Sequence, residues 1–305
     1  MKLALKVDVD TYRGTRDGVP ALTDLLRHRR AGATFLFSLG PDHTGRAIKR
    51  VFRRGFAAKV KRTSVVSHYG IATLMYGTLL PGPDIGKRCA DEMRQTRDAG
   101  FEVGVHTWDH IRWQDGVAEA DAQWTKQEME RACERFEEIF GEPPRVHGAA
   151  GWQMYRHAYR LTQTLGFDYC SDTRGEHPFV PLYEAELIAC PQLPTTLPTL
   201  DELLGRNGIT PDNVADHLLD LTRVHPAAGH VYTLHAELEG RKLLPVLEAL
   251  LTGWSAQGYE LVSLRDYFDA LPSKALPRHN VATGEIEGRS GSLALQGPEF
   301  LARYA

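Results

Sequence analysis

Cysteine is scarce in this chain of 305 residues: only Cys89, Cys133, Cys170 and Cys190, with no Cys-x-x-Cys pair among them. That spacing points away from a zinc knuckle or a dithiol redox centre, and unpatterned thiols suit a reducing compartment. Long apolar runs are missing as well. No window approaches the ~20 apolar residues that cross a bilayer. The first ten residues already hold Asp8 and Asp10, where a secretory leader needs an unbroken apolar stretch. The expectation is a cytoplasmic protein that meets any membrane peripherally. Charge of one sign is absent overall, since 36 basic against 39 acidic residues leave a net charge of −3. Without a basic domain or an aromatic stacking motif, no nucleic-acid partner is expected.

What is present is an ordinary globular composition, 42% hydrophobic and 25% charged, in a chain long enough for one barrel-sized domain. Strand-like and helix-like stretches alternate. Strands are expected at 3–9, 34–39, 101–105, 145–149, 167–170, 230–234 and 259–263. Helices are expected at 18–30, 85–99, 125–140, 154–165, 213–224 and 243–257. The clearest helix, 125–140, carries its apolar stripe on Met129, Ala132, Cys133, Phe136, Ile139 and Phe140. Thr125 followed by Glu128 reads as a capping box at its start. Repeated strand–helix units imply parallel strands, so the expected fold is α/β, an incomplete (β/α)7 TIM-like barrel. A doubly wound open sheet is the alternative. Residues 1–271 form the expected catalytic domain, and 272–305 a loose tail or short hairpin.

The polar residues gather at strand ends, where a parallel barrel builds its active site. The first strand ends in Asp8-Val9-Asp10, two carboxylates one pleat apart. Such a pair is costly unless a cation neutralises it or one acid keeps a proton. His106 and His110 have His-x-x-x-His spacing, which on a helix would place both rings on one face. His235 ends another strand. One Asp and two His would leave open positions on a divalent ion. The other carboxylate could then take a proton from water, and an imidazole across the mouth could give one to a leaving group. Zinc, cobalt and manganese all suit such ligands.

These motifs resemble the polysaccharide deacetylase family over roughly residues 2 to 265. The resemblance implies Asp8 as catalytic base, Asp10, His106 and His110 as ligands of one divalent metal ion, and His235 as general acid. Two departures are visible. Val9 separates aspartates that many members have adjacent, and Val146 to Trp152 lacks the family's arginine that steadies the base. Arg174 could take that role, with Asp172 orienting His235 or Arg174. A narrower similarity is to the family's deformylases of a lipid-linked formamido sugar. It is carried by Val7 to Arg16, Ala149 to Trp152, Ser171 to Gly175, Pro191 to Thr199 and Tyr232 to Gly240. It implies hydrolysis of undecaprenyl-phosphate-linked 4-deoxy-4-formamido-L-arabinose at the cytoplasmic face of the inner membrane. The free amine would serve lipid A modification and polymyxin resistance. Tyr12, Arg13, Trp152 and Glu237 then become substrate-binding or supporting residues.

Between residues 46 and 62 stand Arg46, Lys49, Arg50, Arg53, Arg54, Lys59, Lys61 and Arg62, with no acid among them. Ile48, Val51 and Phe52 would share one helical face. A basic amphipathic segment of this kind reads as a surface for anionic lipid, at roughly 1 kcal/mol per basic residue. Residues 41–85 are therefore expected to form a membrane-facing insertion, with Arg46, Lys49, Arg50, Arg53 and Arg54 on the lipid. Two rival functions remain: an N-deacetylase of another amino-sugar polymer or lipid-linked sugar, and a non-catalytic barrel that captures a lipid phosphate.

Overall fold

Alternation in the first strand sets up the architecture. The computed structural model describes residues 1–47, 71–271, 276–289 and 291–301. In strand β1 (Lys2–Val9), Leu3, Leu5, Val7 and Val9 enter the large core. The opposite face carries Ala4, Lys6 and Asp8, with Ala4 in a second apolar cluster. Both faces are buried, as parallel strands under helices require.

The strands that follow are β2 (Thr34–Ser38), β3 (Glu102–Thr107), β4 (Val146–His147), β5 (Tyr169–Cys170), β6 (Val180–Tyr183), β7 (Glu186–Leu187), β8 (His230–His235), β9 (Glu260–Val262), β10 (Arg278–Gly284) and β11 (Leu293–Glu299). Among the described residues a seven-stranded sheet runs β5-β4-β3-β2-β1-β8, with β9 also paired to β1. Every pairing in it is parallel. This is an α/β fold on a parallel half-barrel sheet, and each strand read from the sequence has its counterpart. Between the outer strands runs the stretch 191–196. Cys170 N donates to Pro191 O and Leu193 N to Cys170 O, while Thr196 N donates to Val231 O. Pro191 and Pro194 lack the N–H groups of a regular ladder, so the stretch bridges both edges irregularly.

Local readings shift in two places, and the C-terminal alternative resolves in a third. The long helix starts at Ala122, not Thr125, because Asp121 Oδ1 accepts from Trp124 N at 2.8 Å. Thr125 instead bonds Asp121 O, and Glu128 is buried mid-helix. The helix expected over 85–99 divides into Ile85–Arg88 and Ala90–Asp98 at Cys89, whose φ of −119° and ψ of 22° lie outside helical geometry. The C-terminal stretch forms the antiparallel β10–β11 hairpin, which joins β6 and β7 in a second sheet. Arg174 N donates to Ala294 O and Gln296 N to Arg174 O, so the hairpin sits against the loop after β5.

Candidate metal centre and active site

Asp10 lies just past the end of β1, His106 at the penultimate position of β3, and His110 at the first position of the helix His110–Gly116. The two histidines do not share a helix face. Trp108 and Asp109 turn the chain between them, and Asp109 caps the new helix by accepting from Arg112 N at 3.0 Å. The imidazole rings still stack, with centroids 5.4 Å apart. His106 Nε2 is 3.2 Å from Asp10 Oδ1, and His110 Nε2 is 3.4 Å from Asp10 Oδ2. One ligand atom from each residue falls within 4.8 Å of the others.

Those atoms fit a cation. Asp8 Oδ1, Asp10 Oδ1 and both ring nitrogens of His106 are buried with no hydrogen-bond partner among the described residues. Orphaned buried polar atoms are expensive, and here they converge. Burial alone would raise the Asp10 carboxyl, but His110 and His106 hold it well below the usual range. Burial likewise opposes charge on His106, yet Asp8 and Asp10 push its pKa up. The carboxylates thus draw positive charge, which a proton or a divalent ion can supply. A second buried group, His147, Cys170 and Asp172, differs in kind. Asp172 accepts from Ala149 N at 2.8 Å, pairs with His147 Nδ1 at 2.7 Å and takes Gln192 Nε2 at 3.1 Å. Its bonds are filled, so it reads as structure.

Asp8 and His235 are neighbours rather than opposites, paired in register across β1 and β8. The cation beside Asp8 is Lys6, not Arg174: Lys6 Nζ lies 3.4 Å from Asp8 Oδ2 and is wholly buried. Arg174 instead bonds Glu202 at 2.5 Å, Leu197 O and Thr195 O. Asp172 orients His147, not His235 or Arg174. The sequence did carry the Lys6 signal, a lysine at the inward position two residues before Asp8 in an otherwise apolar strand.

Other expected residues lie around this centre. Glu237 Oε1 accepts from Asp10 N, Thr11 N and Thr11 Oγ1, and burial with the Asp10 charge raises its pKa well above normal. A Cβ on Gly14 would meet Glu237 Oε1 at 1.9 Å, and one on Gly18 would meet Ala236 O at 2.2 Å. The loops after β1 and β8 therefore interlock through glycine. Tyr12 N donates to Asp42 Oδ2 at 3.0 Å, and Arg13 lies 3.7 Å from Asp17. Trp152 is buried, its Nε1 bonding Thr195 Oγ1 at 3.1 Å. His43, which sequence reasoning passed over, sits 2.5 Å from Asp109 and ties the start of the 41–85 segment to the histidine loop. Arg46 Nε donates to Gly77 O at 3.0 Å. Lys49, Arg50, Arg53 and Arg54 lie outside the described residues. Among the described residues no helix is long and apolar enough to cross a membrane.

Comparison with known proteins agrees with this geometry. A family model described as polysaccharide deacetylase matches residues 3–170. A protein of Shewanella sediminis, described as a probable 4-deoxy-4-formamido-L-arabinose-phosphoundecaprenol deformylase, is 37% identical over 295 residues, covering 97% of this chain and 94% of its own. One of Wigglesworthia glossinidia brevipalpis with the same description is 30% identical over 287 residues, covering 93% and 98%. A solved structure from Mycobacterium smegmatis, described as a candidate polysaccharide deacetylase, shares the fold at a TM-score of 0.63 and 17% identity, covering 93% of this chain and 94% of that one.

Proposed function

The chain belongs to the polysaccharide deacetylase family, and on that premise we propose that it is a metal-dependent deformylase carried on an incomplete (β/α)7 barrel. Its substrate is the formamide of undecaprenyl-phosphate-linked 4-deoxy-4-formamido-L-arabinose, as in the relatives' descriptions. One observation carries the reading: Asp10, His106 and His110 bring one ligand atom each within 4.8 Å, beside Asp8. Asp10, His106 and His110 would hold the divalent ion, of zinc, cobalt or manganese type. When bound, it supplies Lewis-acid polarisation of the formyl carbonyl and a more acidic water.

The residues of the chain do the rest. Asp8 takes the proton of the attacking water, and Lys6 holds that carboxylate in place. His235 gives a proton to the amine nitrogen as its bond to the formyl carbon breaks. Water and formamide are thereby converted to formate and a free amine, which would serve lipid A modification and resistance to cationic peptides such as polymyxin. Glu237 fixes the loop that presents Asp10. The protein would then work peripherally on the cytoplasmic face of the inner membrane, against anionic lipid, a reading supported by the lipid-linked substrate and the basic run at 46–54. Ile71 and Leu79, 70% and 79% exposed, support that surface.

Formate release from the undecaprenyl-linked substrate, with and without chelator, is the test. Release that chelator abolishes and a divalent ion restores is expected. A purified protein that binds the lipid but no divalent ion, and releases no formate, would instead be a non-catalytic lipid-phosphate carrier.

A further inference from the structure

Trp152 occupies a costly backbone position. Its φ of 54° lies in the left-handed region, directly after Gly151 at 62°, a conformation that costs a non-glycine residue about 1–2 kcal/mol. Its buried indole is met by three cations. Lys6 Nζ is 5.1 Å from the ring centroid, Arg174 Cζ 4.9 Å and Arg289 Cζ 4.4 Å. Lys6 also reaches Asp8, so the partner of the catalytic carboxylate and two guanidinium groups pack on one ring.

Arg289 arrives from the turn between β10 and β11. That turn comes so close that a Cβ on Gly288, at φ 93°, would meet Glu202 O at 2.5 Å. Arg174 and Arg289 then share one carboxylate oxygen, Glu202 Oε1, at 2.5 and 3.2 Å. Glu202 Oε2 is occupied by Thr199 N, and Asp201 Oδ2 stands 3.6 Å from Arg289 Nη1. Arg174 spends all three of its nitrogens on Glu202, Leu197 O and Thr195 O. Among the described residues, the polar contacts of Arg289 run through Nη1 alone. Its Nε and Nη2 edge is left as a planar fork of the kind that grips two oxygens of a phosphate. A cavity of about 450 Å³ adjoins Arg174, lined also by Glu176, His177, Thr195, Ile286, Leu295 and Gln296.

We infer that Arg289, itself packed on Trp152 beside Arg174, recognises the phosphodiester of the substrate, so that the C-terminal hairpin supplies specificity for a phosphate-bearing sugar. The inference rests on the deformylase reading. In that substrate the phosphate and the formamide stand at opposite ends of one pyranose ring. Lys6 and Arg289 both pack on one indole, and the cavity adjoining Arg174 gives the start of the lipid chain room.

The test compares two soluble substrates, a geranyl-phosphate-linked formamido-arabinose and its neutral methyl glycoside, by the ratio of their kcat/KM values. Arg289→Ala is expected to lower that ratio at least tenfold, chiefly through KM on the phosphodiester. Arg289→Lys, which keeps the charge and loses the fork, should fall between. Arg289→Gln repeats the measurement should the alanine variant misfold. A ratio unchanged within twofold in the folded variants overturns the assignment. Formate from neither substrate with the unaltered enzyme defeats the deformylase reading, and the phosphate assignment with it.

Discussion

Lys6 donates to Ser171 O at 2.9 Å and stands 3.4 Å from Asp8, entirely out of water. Burial pushes its ammonium pKa down, and the Asp8 and Asp172 charges push back. Removing one member of such a pair strands the other. Lys6→Met is therefore expected to retain bound metal yet lower kcat by about 10- to 100-fold, less than the ~100- to 10,000-fold for losing the general base itself. Metal analysis beside steady-state kinetics checks this, and unchanged kcat would remove Lys6 from the site. The same two measurements separate the remaining roles. His106→Ala and His110→Ala should lose the ion, whereas Asp8→Asn and His235→Ala should keep it and lose about 100- to 10,000-fold in turnover. Glu239 yields a pH prediction. Burial raises its carboxyl from 4.5 to about 7, even with bonds from His235 N and Tyr232 OH. The folded state thus holds the proton more tightly than the unfolded one. The stabilisation is whole below pH 4.5 and is lost as pH climbs through about 7, a difference of about 3 kcal/mol. Urea midpoints across that window should fall with rising pH, and Glu239→Gln should flatten the slope.

At the scale of elements, the loops after β1 and β8 behave as one unit because three glycines let their backbones touch. Besides Gly14 and Gly18, a Cβ on Gly240 would meet Ala236 O at 2.5 Å and Gly18 O at 2.7 Å. Gly18→Ala is expected to cost about 1–3 kcal/mol, as backbone cannot yield as a side chain can. It should lower both Tm and kcat, and an unshifted Tm would show that the loops can part. Sequence patterning made the strands legible because each inward polar residue interrupts an apolar alternation at a strand's end. It placed Asp8, Asp10, His106 and His235 on the rim for that reason. It misjudged how His106 and His110 meet, since four-residue spacing fits a helix face as well as a strand end followed by a capped turn. It also passed over His43, whose partner Asp109 is met only once the loops after β2 and β3 lie together, and Lys6, whose link to Ser171 O appears only once β1 lies near the loop after β5. The partners of Arg174 and Asp172 were hidden for the same reason.

At the scale of the whole molecule, the basic run at 46–62 has no acid to balance it. Reversing charge at Arg53 and Arg54 is expected to weaken co-sedimentation with anionic liposomes while sparing hydrolysis of a soluble analogue. Unaltered sedimentation would defeat the membrane assignment. The irregular stretch from Pro191 to Thr196 has a separate consequence. Outer strands in open sheets offer rows of unsatisfied amides to which another chain can add. Here β5 and β8 both spend such groups on that stretch, and its prolines make it a poor template for further growth. The molecule should consequently resist strand-by-strand association when concentrated, where a bare sheet margin would invite fibrils.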